Sequence, residues 1–523
     1  MRRRIEIKSN LGPVSITLRQ MSIELTLDRI RVLASHLKPY TRPTCHIAGT
    51  NGKGSVTALL SSILRSSSPP LSVGRFNSPH LVSVHDSITI NNKPIAPNVY
   101  AKAKNDVERV DRDHNVGASS FELLTLTALL AFEEAELDIV VIEVGMGGRL
   151  DATNIISDDC ILVSALTAVD LDHQAILGHN LQDIAKEKAG IARRGKPFIL
   201  GKQKHHAVIE TVRQAVKDEM LIHAQVATKR EWSESVDGPK SRQFSFSLSD
   251  LQACLSQPVE IQLHPFFSKP ILATLPLYGE HQLENLGIAV SIVSALLTHE
   301  SCTKMLPHLR MCITPETVAR GIKATRWPGR LSFHAITLPE TETYRPNQPL
   351  AVLADGAHNP ASSATLATFI KSLLNRLTPG MGIQPNTICI TYILALSHSP
   401  PKTPHDTLSP LFSPSILTHP FSSDVRVKIN VALVRFTPPE GMPWVKSVPP
   451  SELRQTVLEA APGVDTWAPD DDGDTSIENH LSDALTWAAI KHEQDVGDNG
   501  EGFVVLAGSL YLVADLYRFM IKS

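Results

Sequence analysis

From residue 44 the chain alternates short β-branched apolar runs with longer stretches of helical spacing. "TCHIAGT" is an apolar run that enters a Gly-rich turn, and "SVTALLSSILRS" behind it has helical periodicity with Ser55 as its N-cap. "SFELLTLTALLAFEEAE" predicts an amphipathic or buried helix. "LDIVVIEVG" and "CILVSALTAV" are continuous apolar runs, as expected of parallel strands covered on both faces. "NLQDIAKEKAGIARRG" predicts a helix that ends at Gly195. Repeated strand–turn–helix units predict an α/β fold with a parallel central sheet.

The pattern breaks at 228–270, where "EWSESVDGPKSRQFSFSLSD" is polar and turn-rich and predicts an antiparallel excursion or a disordered insertion. "GEHQLENLGIAVSIVSALL" restores the helical period. Within the turn-rich "ATRWPGR", residues 326–330 are the expected linker. A second α/β unit follows: "LAVLADGAHNPASSATLATFIKSLL" and "GFVVLAGSLYLVADLYRFM" each read as strand, turn, helix, and "TICITYILAL" and "VKINVALVRF" as strands. Pro/Ser-rich "SHSPPKTPHDTLSPLFSPS" and acidic "APDDDGDTSIENH" read as loops or mobile inserts. The expected division is an extension at 1–20, a domain at 21–325, the linker, and a domain at 331–523.

Composition narrows the function classes. A chain of 523 residues implies roughly two to four domains. Its formal net charge of -3 gives no global field for nucleic acid or an anionic membrane, so an anionic ligand must be held locally. No apolar run reaches the roughly 18–20 residues of a membrane span. The cysteines at 45, 160, 254, 302, 312 and 389 form no C-x-x-C pair and read as reduced thiols of a cytoplasmic protein. "MRRRIEIKSNLGPVSITLRQ" carries five basic residues and one acid, Glu6, without a signal peptide's apolar core. It is read as an extension before Met21, with a mitochondrial presequence as the alternative.

The candidate chemistry lies in the turns. Gly49, Thr50, Asn51, Gly52, Lys53, Gly54 and Ser55 form a glycine-rich turn before a helix, a setting whose backbone N–H groups suit polyphosphate. The spacing departs from G-x-x-x-x-G-K-[ST]: Ile47 holds the first-glycine position, and the hydroxyl comes one place late, at Ser55. A Gly-rich turn with a surface lysine is the alternative. Ser78 and His80 fall where a strand should end. Glu143 lies in an apolar run, where a carboxylate is costly unless paired or metal-bound. Gly145, Gly147 and Gly148 would let the backbone approach a ligand, beside Arg149, Asp151 and Asn154. Asp170, Asp172 and His173 fall at the sheet's C-terminal edge, where α/β ligands bind. Lys188 lies in a predicted helix, an ordinary place for a solvated lysine. Gln282 and Asn285 share a helical face. Asp355, His358 and Asn359 follow a strand.

Taken in order, "GTNGKGS", "SPHL", "IEVGMGGRLDATN", "LDHQAILG", "IAKEKAGI", "GEHQLEN", "WPGR", "DGAHNP" and "GSLYL" resemble the Mur-ligase superfamily, and within it the folylpolyglutamate synthase/dihydrofolate synthase family. "MSIELTLDRI", Asn51, Glu122, "HDSITINNKPI" and "EGMPWV" resemble the family's fungal dihydrofolate synthases. The resemblance implies a P-loop ATPase domain of Mur-ligase type at 21–325 and a smaller Rossmann-like domain at 331–523, with the active site between them. It implies ATP-dependent joining of L-glutamate to dihydropteroate through an acyl phosphate, with addition of glutamates to tetrahydrofolate as the alternative. A non-catalytic nucleotide-binding regulator and a cell-wall Mur ligase are further alternatives.

Carried over by position, Gly49 to Ser55 match the phosphate loop, with Lys53 catalytic. Asn285, Arg330 and Asp355 match ATP-contacting positions, and Ser78, Glu143 and His173 match Mg²⁺ ligands. Lys188 matches a carbamylated lysine, and His358 a catalytic position in the second domain. Phe121, Glu122, Leu123, Leu124 and Asp151 match the substrate site. The partners implied are small molecules acting on a monomer, without nucleic acid or membrane. Two departures stand out: "ILALSHSPPK" replaces a stretch that usually ends in Lys-Asp, and Met146 stands where leucine is common.

Overall fold

The computed structural model describes residues 26–522 apart from 217–219, 238–254, 341–348, 376–386, 399–401, 414–425, 441, 443–444, 470–476 and 497–500. The expected extension at 1–20 and Cys254 lie outside the described residues.

Eight strands form the first sheet: β1 (Thr44–Ala48), β2 (Val73–Phe76), β3 (Ile88–Ile90), β4 (Lys93–Pro94), β5 (Ile139–Glu143), β6 (Ile161–Leu166), β7 (Phe198–Leu200) and β8 (Leu221–His223). Their order is β4-β3-β2-β5-β1-β6-β7-β8. Pairings from β2 through β8 are parallel, and β3 and β4 join one edge antiparallel. Every residue of β1, β5 and β6 is buried, which explains their unbroken apolar runs. Successive strand side chains point to opposite faces. Ile139 and Val141 pack with the helices Lys53–Arg65 and His281–Thr298, whereas Val140 and Ile142 pack with Pro97–Asp113 and Ser120–Glu134. Sandwiching the sheet in this way leaves its C-terminal edge as the place where loops 49–52, 144–151 and 167–173 gather.

The break at 228–270 is an antiparallel sheet in its described part: β9 (Thr228–Lys229), β10 (Gln257–Ile261) and β11 (Ile271–Leu275), in the order β11-β10-β9. The second large sheet contains β12 (Ser332–Ile336), β13 (Leu350–Ala354), β14 (Thr387–Leu394), β15 (Arg426–Leu433), β16 (Asp465–Trp467) and β17 (Glu501–Ala507). Its order is β12-β13-β17-β14-β15-β16, with only β12 antiparallel. The molecule is thus α/β, with two mainly parallel sheets.

Three local expectations are corrected. The helix expected to reach Gly195 spans Leu181–Ala189. It stops there because Asn154 Nδ2 donates to the Gly190 carbonyl (3.3 Å) and Ser164 Oγ to that of Ile191 (2.9 Å), turning the chain into the core. Ser55 is not an N-cap. Gly52 holds that position at φ 94°, a left-handed conformation that favours glycine, and the helix begins at Lys53. The Pro/Ser-rich insert is structured in its described part, with helical turns at Pro404–Leu408 and Ser409–Phe412. Leu408, Leu411 and Phe412 are buried in the second domain's core.

Candidate functional site

Helix Lys53–Arg65 opens directly on the glycine turn, so its first N–H groups and its dipole face the space above the sheet edge. The turn is tied to the strand next door. Thr50 N–H and Asn51 N–H donate to the Ala168 carbonyl (2.9 and 3.3 Å), and Thr167 Oγ1 donates to the Asn51 carbonyl (2.7 Å). Glycine is required here for space as well. A Cβ at Gly52 would meet Asn285 Oδ1, and one at Gly54 would run into the Trp327 ring.

Glu143 ends β5 beneath the turn. Its Oε1 lies 3.7 Å from Lys53 Nζ, and its Oε2 accepts from Asn77 Nδ2 at 2.7 Å. Asn77 also reaches Thr57 Oγ1 (2.7 Å), so an amide from the end of β2 fixes the carboxylate against the helix. Burial pushes the Glu143 carboxyl up; Lys53 and Asn77 oppose that shift. Ser78 Oγ is buried without a hydrogen-bond partner. Ser78, Glu143, Gly54 and Arg330 line one cavity of about 350 Å³, together with Trp327 from the linker and Tyr517 from the last helix. Arg75 lies over Trp327, 5.1 Å from the ring centroid.

Lys188 is not on the surface. It is buried, and its Nζ donates to the Gly49 carbonyl at 2.8 Å. Burial, then the charge of Lys53, lowers its pKa to about 7. His173 stands at φ 51° just before a short helical turn, Gln174–Leu177, with a half-exposed ring. Desolvation of the ring, then the repulsion of Lys188, Lys402 and Lys53, lowers its pKa to about 4. It is therefore neutral at neutral pH, the form that offers a lone pair to a metal. Among the described residues no three His, Cys, Asp or Glu side chains gather as a metal cluster. A cation here would rest on a mixed set, the unpartnered Ser78 hydroxyl and Glu143, completed by phosphate oxygens in the manner usual for Mg²⁺.

The second domain contributes from the other side. Asp355 is buried and accepts from the N–H groups of Leu331 (2.8 Å) and Ala357 (2.9 Å), which fixes the turn beside Arg330. His358 Nδ1 donates to the Gly356 carbonyl (2.9 Å), and its Nε2 faces Asp172 Oδ2 at 3.9 Å. Asn285 Nδ2 donates to Gln282 Oε1 (2.9 Å), and Gln282 Nε2 to Ser55 Oγ (3.3 Å), so the two amides brace the loop's helix.

The expected substrate positions separate into two kinds. Phe121, Leu123 and Leu124 are partly buried on helix Ser120–Glu134, and Phe121 fills the space a Cβ at Gly145 would need. Glu122 closes a capping box with Ser119 and lies 3.4 Å from Arg29. Asp151 is buried, with its oxygens taken by the N–H groups of Met146 and Thr153 and by Thr153 Oγ1, so it shapes the 146–153 turn. A groove of about 620 Å³ opens alongside, lined by Leu27, Arg31, Arg149, Leu150, Asn154 and Arg193 among others.

Sequence reasoning missed Asn77, Arg75, Trp327, Tyr517 and Lys402. Asn77 directly precedes "SPHL", and that adjacency was the signal available for it. Lys402 ends "ILALSHSPPK", a stretch that stood out only as a departure, and its composition reads as a loop. The cysteines at 45, 160, 302, 312 and 389 are free and buried.

Comparison with known proteins is consistent with this geometry. The Mur ligase middle domain model matches residues 47–293, and the dihydrofolate synthetase C-terminal domain model matches 340–519. The dihydrofolate synthetase of Saccharomyces cerevisiae is 33% identical over 95% of this chain and 98% of its own length. The fold is shared with E. coli FolC in complex with DHPP and ADP (TM-score 0.64, 23% identity, 97% of this chain and 95% of that one). It is also shared with a bifunctional folylpolyglutamate synthase/dihydrofolate synthase with Mn, AMPPNP and L-glutamate bound (TM-score 0.61, 22% identity, 96% of each chain).

Proposed function

The chain belongs to the folylpolyglutamate synthase/dihydrofolate synthase family of Mur-type ligases, and from that premise we propose that it joins L-glutamate to 7,8-dihydropteroate, with ATP becoming ADP and phosphate. The observation that carries the reading is the convergence of Lys53, Glu143 and the unpartnered Ser78 hydroxyl at the mouth of a helix N-terminus. Ser78 and Glu143 line a cavity to which both domains contribute, and Lys53 reaches it through Glu143, 3.7 Å away.

A carboxylate is a poor acyl donor. The pteroate carboxylate oxygen would attack the γ-phosphorus, the bond to ADP would break, and an acyl phosphate would form. The glutamate ammonium first gives up one proton; its nitrogen then attacks that carbonyl carbon, phosphate leaves with the C–O electron pair, and the nitrogen gives up a second proton to solvent or a base, keeping the amide N–H. Phosphoryl transfer places negative charge on the transferring group, so positioning and electrostatics carry the catalysis. Lys53 and the N–H groups of Gly52 to Ser55 are the donors aimed at that charge. A divalent cation would add Lewis-acid neutralisation at the phosphates, held by Ser78 and Glu143 with His173 as third ligand. Substrate bound between the two domains would exclude water, which otherwise hydrolyses an acyl phosphate.

Lys188, with its pKa lowered to about 7, has the neutral amine that CO₂ requires, which supports the reading of it as carbamylated. ADP release that requires both dihydropteroate and glutamate, with 7,8-dihydrofolate as product, tests the assignment. Turnover on tetrahydrofolate instead would move the chain to the polyglutamate branch. No described helix is long and apolar enough to cross a membrane.

A further inference from the structure

Three contacts join the second domain to the first at the reacting centre. Lys402 Nζ lies 2.9 Å from Asp172 Oδ1, and both side chains are largely buried, 19% and 6% exposed. His358 faces the same carboxylate, and Asn359 Nδ2 donates to Asn51 Oδ1 at 3.4 Å. Neither end of the Lys402–Asp172 pair is loose. Lys402 is followed by a helical turn capped by Thr403 Oγ1, which accepts from Asp406 N–H at 3.2 Å, and Leu408 and Phe412 anchor that turn in the core. Asp172 belongs to the strap after β6, and that strap is sewn to the phosphate loop. Besides the Ala168 and Thr167 bonds, Thr50 Oγ1 donates to the Asp170 carbonyl and accepts from Asp170 N–H, both at 3.1 Å.

We propose that Lys402 is a positioning residue for ligation: by pairing with Asp172 it docks the second domain, and His358 with it, onto the strap that holds the phosphate loop. This rests on the reaction assigned above. A cation fixed in one domain and a buried carboxylate fixed in the other make a latch with one satisfied arrangement. An unpaired buried charge is costly, so the docked state is selected over a loosely closed one. Lys402 belongs to the Pro/Ser-rich insert, so the cation that meets the strap comes from outside the strand–turn–helix framework.

The test uses the full chain and the variants K402M, K402R, D172N and K402M/D172N. The latch predicts a kcat lower on the order of 10–100-fold in K402M, the scale of a small misplacement of reacting groups. The KM for ATP should stay within about threefold of wild type, because Lys402 touches no part of the loop itself. K402R should recover most of the rate. The double variant should be no slower than the slower single variant. A wild-type kcat in K402M, or losses that multiply in the double variant, overturns the proposal. Should K402M fail to fold, K402Q carries the same comparison. If the wild type does not turn over dihydropteroate, the assigned reaction fails and the latch is read separately, by X-ray scattering with AMPPNP bound. There a larger radius of gyration in K402M supports the latch, and equal radii overturn it.

Discussion

Lys188 shows how burial changes what a residue can do. A buried amine with a pKa near 7 is increasingly neutral as pH rises from 6 to 8, and only the neutral amine adds CO₂. In ¹³C-bicarbonate the chain should therefore show a carbamate resonance that grows through about pH 7 and is absent in Lys188→Gln. A spectrum without it between pH 6 and 9 would sink the idea. The stability sign follows from the same shift. Between about 7 and the unfolded value near 10.4 the unfolded chain binds more protons, so the penalty for burying Lys188 is full below pH 7 and is relieved as pH rises. Lys53→Ala should remove ligation by at least about 10²-fold in kcat, the usual scale for losing one charge-stabilising donor, with an unchanged circular dichroism spectrum. Near-normal turnover would refute its role. Lys53 and Glu143 were legible in the sequence because one follows a glycine turn and the other is a charge in an apolar run. The burial of Lys188 was not, and only the resemblance marked the residue, since its helix carries lysines on both its exposed and its buried side and periodicity alone does not say which side Nζ takes.

At the scale of elements, the glycine turn works because the linker packs on it. Gly54→Ala would press a methyl into the Trp327 indole, a flat ring held by Arg75 on the cavity side, so the linker must shift. Turnover should fall while the melting temperature changes little; retention of full activity would show that the Trp327 contact is dispensable. The buried strands were legible as apolar runs, because a sheet covered on both faces leaves no polar alternation to confuse them. The insert at 402–412 was not. Its prolines and serines dominate the composition, whereas its structure depends on three apolar side chains, Leu408, Leu411 and Phe412, spaced to meet one core. Leu408→Ala should cost about 2–5 kcal/mol in chemical denaturation, as for other buried leucines. A cost below about 0.5 kcal/mol, the range of an exposed site, would return the segment to the mobile class.

Across the whole molecule, the two-sheet architecture was legible from the return of strand–turn–helix patterning after 330, but the order of the second sheet was not. Nothing in the apolar run 501–507 says that it lies in the middle. Yet β17 separates β13 from β14, and every bond between those two halves of the sheet passes through it. The sheet's keystone is thus translated after all its neighbours. A nascent chain that has left the ribosome as far as residue 500 carries two half-sheets, each with a long apolar edge open to pairing with other chains. The first domain has no such debt, since its central strand β1 is the earliest made. Synthesis therefore delivers a finished nucleotide-binding half tethered to an unfinished partner, and the interval before β17 emerges is when this protein would most need a chaperone.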